Sequence, residues 1–458
     1  MNEKQYYPLT PAQEMIYLML KYSFFHKQVT QIPASIIVKR KIDFDLLKKA
    51  LDIEVERNDC LRMSFAKKHG KPVQSFSDKA VKFDVPVLTF KTKEEQENYF
   101  NADAQIPVKY LKNEIARFRF FNSFDGRYGI YINVFHLVMD ASAVFTFFSD
   151  LLAIYEHLET GAPMPAPLGS FEETVKKELA YINNPERVKK DEEWFREFYT
   201  KDGEPIWNGV QGPGPLDKVR KKKPDKKYVA AFDPIHDKAE LEKKPLSPED
   251  SKIILDFMEK NGISGECLVQ LGMRLHVGKI NHRHDDTYFV VLCTRRRTLA
   301  EKRSGGSMTS ILPWRLILPE TLTFSEALDK MKAFQGDIFR HMDFPYNNYR
   351  ALEGEYFGYG PADGSSTMMF SWFPLENSTM NGWEYEFNGY NLGRYVMPLY
   401  SYSMKDASSG GLKFAYLHRT AMISKEDIDS LHDNTVKALV AGCSNPDLTL
   451  GSIMDMID

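Results

Sequence analysis

Two side chains able to do acid–base chemistry lie close together in the stretch Val134-Phe135-His136-Leu137-Val138-Met139-Asp140-Ala141-Ser142. An imidazole, with an ordinary pKa of ~6.5, is the side chain best suited to take a proton from a hydroxyl or an amine at neutral pH. Asp140 is badly placed to be a second base; a carboxylate on such a turn pairs with an arginine and fixes the loop that carries His136. A histidine at the end of a strand also serves as an ordinary structural residue, and this stretch alone leaves both roles open.

The flanking elements decide how the imidazole is held. Tyr128 to Phe135 is rich in aromatic and β-branched residues and carries neither proline nor charge, the composition of a buried strand. Ser142 to Leu158 has Val144, Phe145, Phe148, Leu151, Leu152 and Tyr155 at helical spacing and stops before Gly161. His136 therefore sits where a strand hands over to a helix. Side chains there face whatever crevice the fold leaves, and the turn keeps the backbone still.

The stretch resembles the His-His-x-x-x-Asp-Gly motif of the condensation domains of nonribosomal peptide synthetases, relatives of chloramphenicol acetyltransferase. Phe135 stands at the first His, His136 at the second, Asp140 at the Asp and Ala141 at the Gly. Further blocks follow the family's order. Leu9 to Tyr17 resembles Ser-x-Ala-Gln-x-x-Leu/Met-Trp/Tyr, and Arg57 to Phe65 resembles Arg-His-Glu-x-Leu-Arg-Thr-x-Phe. Gly306 to Arg315 is similar to Gly-x-Phe-Val-Asn-Thr-x-x-x-Arg, with Ser310 at the Asn position. His341 to Tyr346 is similar to His-Gln-Asp-Tyr-Pro-Phe, and Asn445 to Gly451 has the family's ending.

The resemblance implies an α/β (α+β) fold of two chloramphenicol-acetyltransferase-like subdomains, a V-shaped pseudo-dimer with His136 midway along a central tunnel. It implies a condensation-type acyltransferase without a permanently bound cofactor or metal. The donor is an acyl or aminoacyl thioester, on the phosphopantetheine of a carrier protein in trans or on CoA; the acceptor is an amine or a hydroxyl. His136 is the general base, and Arg62 and Asp140 form the supporting pair. Phe135, Ala141, Ser142 and Ser310 are candidates for lining the tunnel or, through backbone N–H groups of the turn or at Ser310, for holding the oxyanion. Phe135 in place of a histidine makes the wall beside the base more apolar. Ala141 adds a methyl where the turn would want a positive φ or where substrate passes close.

Composition sets the frame. A chain of 458 residues is too long for one core and forms two domains. A net charge of −3 gives no reason to expect a nucleic-acid partner. No run of about eighteen apolar residues is long enough to span a membrane. The start lacks a signal-peptide pattern, and Cys60, Cys267, Cys293 and Cys443 have no metal-ligand spacing. These features point to a cytoplasmic protein with reduced thiols.

The expected layout is a first subdomain over residues 1–169, a connection over 170–227 and a second subdomain over 228–458. In the first, helices are expected at Pro11 to Tyr22, Asp45 to Arg57 and Lys93 to Ala104, with strands from Ala34 to Val38, Met63 to Phe65 and Pro72 to Phe76. The connection starts with a charged helix, Phe171 to Thr200, broken near Asn183-Asn184-Pro185. It ends in a Gly/Pro-rich segment whose run Lys218 to Lys227 holds seven Lys or Arg in ten positions, a solvated loop or a dock for an acidic partner. The second subdomain has a helix capped by Ser247, another from Gly265 to Val277, strands from Asp286 to Cys293 and Leu412 to Leu417, and a last long helix opened by Ser424. Thr294-Arg295-Arg296-Arg297 closes the most apolar strand there; three arginines either grip a phosphate or make structural ion pairs. Loops near Ser310 and from Gly354 to Gly364 are expected to bridge back to the first subdomain.

No adenylation motif and no carrier-domain Gly-Gly-Asp/His-Ser occurs in the sequence, so a carrier, if used, is expected on a separate chain. Three functions fit: a stand-alone condensation enzyme, a CoA-dependent N- or O-acyltransferase, and a degenerate condensation fold that binds a carrier or ligand without catalysis.

Overall fold

The computed structural model describes residues 5–458 except 24, 80, 207, 215–217, 219–220, 223, 225–229, 232–234, 361–362, 365, 374–378 and 407–408. The chain forms two compact units, residues 1–188 with 294–310 and 377–394, and residues 189–293 with 311–376 and 395–458. The first unit thus takes more than the expected 1–169. It claims the helix Phe171–Ile182 and two segments from later in the chain, one of which contains Ser310. The described part of the Gly354 to Gly364 region groups with the second unit. Most of the basic run from Lys218 to Lys227 lies outside the described residues.

The first unit is built on a six-stranded sheet in the order Thr379–Met380, Trp383–Gly389, Gln31–Val38, Tyr128–Phe135, Ala116–Asn122, Val87–Thr89. All pairs are antiparallel except the last. Tyr128–Phe135 lies between two neighbours and is buried along nearly its whole length, which explains its charge-free composition. Gln31–Val38 begins before the expected Ala34 and runs through Pro33. The outer strand Trp383–Gly389 stops opposite Ala34, so no ladder bond is asked of the missing N–H on that side.

Helices cover this sheet. Pro11–Tyr22 starts from a capping box in which Thr10 and Gln13 exchange side-chain and backbone hydrogen bonds. Ala141–Thr160 is capped by Asp140 and ends at Gly161, whose φ of +77° is the left-handed conformation that suits glycine. It packs against Phe44–Arg57. A small antiparallel sheet of Tyr7–Pro8, Lys71–Phe76 and Met63–Lys68 completes the unit.

The second unit holds another six-stranded sheet, in the order Thr309–Ile317, Asp286–Thr294, Met368–Phe373, Leu399–Lys405, Leu412–Arg419, Ala239–Pro245. Met368–Phe373 is parallel to both its neighbours, and the last two pairings are antiparallel. Pro248–Asn261, Gly265–Ile280, Phe324–Ile338 and Lys425–Ser444 are its main helices, and Ser247 and Ser424 cap the first and last as the sequence predicts. The charged connection is two helices, Phe171–Ile182 and Pro185–Lys201, separated where Asn183-Asn184-Pro185 predicts a break.

Candidate active site

His136 follows the last residue of Tyr128–Phe135, and its N–H donates to the Thr30 carbonyl at 2.9 Å. The next residues turn back on the strand: the Val138 N–H donates to the Phe135 carbonyl at 2.8 Å. Asp140 then opens the following helix by accepting from the Ala143 N–H at 2.9 Å. His136 as a residue is of intermediate burial, and its Nδ1 is enclosed with no hydrogen-bond partner among the described residues. Burial lowers its pKa below the ordinary 6.5, outweighing the pull of Asp140 and of nearby carbonyls.

The turn is held from two sides. On one, Gln13, fully buried, donates from Nε2 to the carbonyl of Leu137 at 2.9 Å. Its amide also pairs reciprocally with Gln74, Nε2 of each donating to Oε1 of the other at 2.7 and 2.6 Å. On the other side, Asp140 is the hub. Its Oδ2 accepts from Arg296 Nη1 at 2.7 Å, the Met308 N–H at 2.8 Å and Thr309 Oγ1 at 3.1 Å. Burial by itself would raise its pKa, but the Arg296 guanidinium and the donated N–H bonds prevail and hold the carboxyl below the usual range. Asp140 is thus a fully ionised structural anchor.

Arg296 also donates through Nη2 to the Gly306 carbonyl at 2.5 Å, which curls residues 294–310 around the guanidinium. The curl needs its glycines: a Cβ on Gly306 would lie 1.9 Å from the Phe171 ring, and one on Gly305 would lie 2.4 Å from the Asn58 side chain.

Several expectations change. Arg62 does not pair with Asp140; its guanidinium donates to the carbonyls of Val55 and Ser77, closing the chain between the helix Phe44–Arg57 and the small sheet. Arg296 takes the place assigned to it. Of the three arginines at the strand end, Arg295 pairs with Glu178 at 2.6 Å and Arg296 with Asp140, so two of the three are buried structural partners rather than a phosphate grip. Phe135 does not line an open tunnel. It is 1% exposed, stacked on Tyr110 at 4.7 Å and edge-on to Phe65 at 5.7 Å, because strand alternation sends it into the core. Ala141 is the first residue of the helix and has no positive φ, so its methyl costs no backbone strain.

Ser142 lies in the first helical turn, partly exposed. Ser310 is buried two positions after Met308, on the segment whose N–H and hydroxyl groups grip Asp140. The site is therefore a strand end carrying an imidazole, with residues 308–309 fastened to its turn through one carboxylate. Gln13, Gln74, Arg296, Met308 and Thr309 were not singled out by sequence reasoning as parts of it. Gln13 sits inside the opening block and Arg296 inside the arginine run, which are the signals that were present.

The condensation-domain model matches residues 3–354. The chain belongs to the condensation-domain family. Tyrocidine synthase 2 of Brevibacillus parabrevis is 21% identical over 454 residues, which is 98% of this chain and 12% of that protein. Surfactin synthase subunit 1 of Bacillus subtilis (strain 168) is 23% identical, again over 98% of this chain and 12% of that protein. The chain therefore spans about an eighth of the length of these two synthetases. Among solved structures, the first condensation domain of the calcium-dependent antibiotic synthetase, in complex with a substrate analogue, superposes with a TM-score of 0.80 at 18% identity, covering 98% of this chain and 99% of that one. A mutant starter condensation domain of rhizomide synthetase, in complex with C8-CoA and Leu-SNAC, gives 0.79 at 14% identity, covering 98% and 96%.

The fold of this condensation domain is accordingly the mixed helix-and-sheet architecture of two chloramphenicol-acetyltransferase-like halves. No helix among its described residues is long and apolar enough to cross a membrane. Three of the four cysteines, Cys60, Cys267 and Cys293, are buried.

Proposed function

We propose that the protein transfers an acyl or aminoacyl group from a phosphopantetheine or CoA thioester to an amine or hydroxyl acceptor, with His136 as the general base. The carrying observation is the placement of His136: an imidazole at the end of a buried strand, its pKa lowered by burial, on a backbone pinned by Thr30, Gln13 and the Asp140 hub. The imidazole takes the acceptor's proton as its nitrogen or oxygen bonds to the thioester carbonyl carbon. The tetrahedral oxyanion collapses, the carbon–sulfur bond breaks, and the thiolate leaves with the proton returned by His136. N–H donors of the turn after His136, or Ser310, are the groups we assign to the oxyanion, a role commonly worth about 3 kcal/mol.

A carrier protein supplied in trans is the preferred donor in this reading, free acyl-CoA the alternative. The rhizomide starter domain was solved in complex with C8-CoA, which supports keeping that alternative. Purified protein mixed with acyl-CoA or acyl-carrier and a panel of amines and alcohols, with release of free thiol as the readout, separates the two. His136→Ala is expected to lower turnover by about 10² to 10⁴-fold with thioester binding and fold retained. Thioester binding with no turnover in the unaltered protein would move the reading to a non-catalytic binding module.

A further inference from the structure

The second unit carries a polar cluster that the acyl-transfer reading leaves unused. Strands Ala239–Pro245 and Leu412–Arg419 pair antiparallel, with His418 opposite Glu240 and Tyr416 opposite Glu242. Directly opposed residues share a face, as do residues two apart on one strand. Glu240, Glu242 and His418 therefore stand on one side of the sheet, and their ligating atoms all lie within 4.8 Å of one another.

His418 decides what this cluster is for. It is 1% exposed; its Nδ1 lies 2.9 Å from the Ile423 carbonyl oxygen, while its Nε2 is enclosed with no hydrogen-bond partner among the described residues. A carbonyl only accepts, so Nδ1 carries the hydrogen, and in the neutral ring Nε2 keeps its lone pair. A buried ring nitrogen without a partner, on a side chain whose ligating atom lies within 4.8 Å of two carboxylates, is a group that a cation shared among the three would satisfy. Tying one ring nitrogen to a backbone carbonyl so that the other is aimed and basic is how proteins orient a ligating histidine.

The surrounding charges leave room for such a cation. Lys244 and Lys425 both engage Asp429, at 2.6 and 3.0 Å. Arg419, on the opposite face of its strand from His418, donates to the carbonyls of His236 and Val396. Lys238 reaches Glu240 at 3.3 Å from an exposed position. Glu242 has no hydrogen bond or ion pair among the described residues.

We propose that Glu240, Glu242 and His418 bind a divalent transition metal of the zinc class, cross-linking the edge strand Ala239–Pro245 to its neighbour. One imidazole with two carboxylates is a donor set that suits zinc better than the all-oxygen preference of calcium or magnesium. Donors of a tetrahedral zinc at ~2.1 Å lie about 3.4 Å apart, so the two glutamate side chains close in by about an ångström and water takes the fourth position. Because Ala239–Pro245 is the edge of its sheet, the metal serves as a clamp on that edge.

The whole chain, carrying no histidine tag and stripped with a chelator, is titrated with zinc chloride by calorimetry and with cobalt(II), whose visible absorption reports tetrahedral coordination. One saturable equivalent is expected, with a rise in Tm. Affinity is expected to fall by at least about tenfold in His418→Gln and in Glu242→Gln, and to increase in Lys238→Gln, which removes a competing ammonium. Glu242 is only partly buried, so Glu242→Gln decides the matter if His418→Gln fails to fold. Absence of a saturable equivalent, or unchanged affinity in Glu242→Gln, overturns the site.

Discussion

Arg296 Nη1 donates to Asp140 Oδ2 at 2.7 Å, with the two side chains 3% and 0% exposed. The bond joins the turn that carries His136 to a segment more than a hundred residues later, and both charges depend on it. Removing either partner leaves the other buried and unpaired, so Asp140→Ala and Arg296→Ala are each expected to lose about 3 to 5 kcal/mol of stability. A double-mutant cycle by urea unfolding should show strong coupling for this pair and little between Asp140 and Arg62. The reverse pattern would restore the Arg62 pairing.

Gln13→Ala removes the donor to the Leu137 carbonyl and strands one partner of the buried amide pair with Gln74. A stability loss of about 1 to 3 kcal/mol is expected. If the bond positions His136, turnover should also drop, by up to about 10²-fold, at unchanged KM for the thioester. A stability loss with full turnover at permissive temperature would make Gln13 a packing residue only.

Phe135→His, which writes the family's first histidine back into the motif, is expected to gain no activity. It trades a ring packed between Tyr110 and Phe65 for a polar one in the same enclosed place, at a cost of about 3 kcal/mol. Increased turnover in this variant would show that the position does reach the substrate.

The pH dependence follows from two depressed pKa values. His136 titrates below 6.5 in the fold, so the acid limb of kcat/KM should lie below pH 6.5; a limb above that value would argue against an enclosed base. Both His136 and Asp140 bind protons more readily when unfolded than when folded. Each therefore contributes stability that is full above its unfolded pKa, 6.5 and 3.8 respectively, and is lost as pH falls through its lower folded value. Thermal melts should show Tm declining on acidification, and Asp140→Asn should lessen the more acidic part of that decline.

The sequence by itself determined the strand, turn and helix that present His136. The reasons are local: a charge-free aromatic and β-branched run, a carboxylate at the N-cap, helical spacing of apolar residues and a glycine stop. The bounds of Pro11–Tyr22 and Lys93–Ala104 were legible for the same reason, since Thr10 and Thr92 cap them through bonds only three residues long. Only the tertiary structure decided which arginine meets Asp140. Arg62 and Arg296 are both remote in sequence, and what separates them is the path of residues 294–310, drawn in by Gly305 and Gly306 against Asn58 and Phe171. It likewise decided that Gln13 reaches Leu137, and that Phe135 and His136, adjacent in the chain, have different surroundings. Phe135 still belongs to the strand and alternates into its core, whereas His136 has passed into the turn and is less deeply buried as a residue.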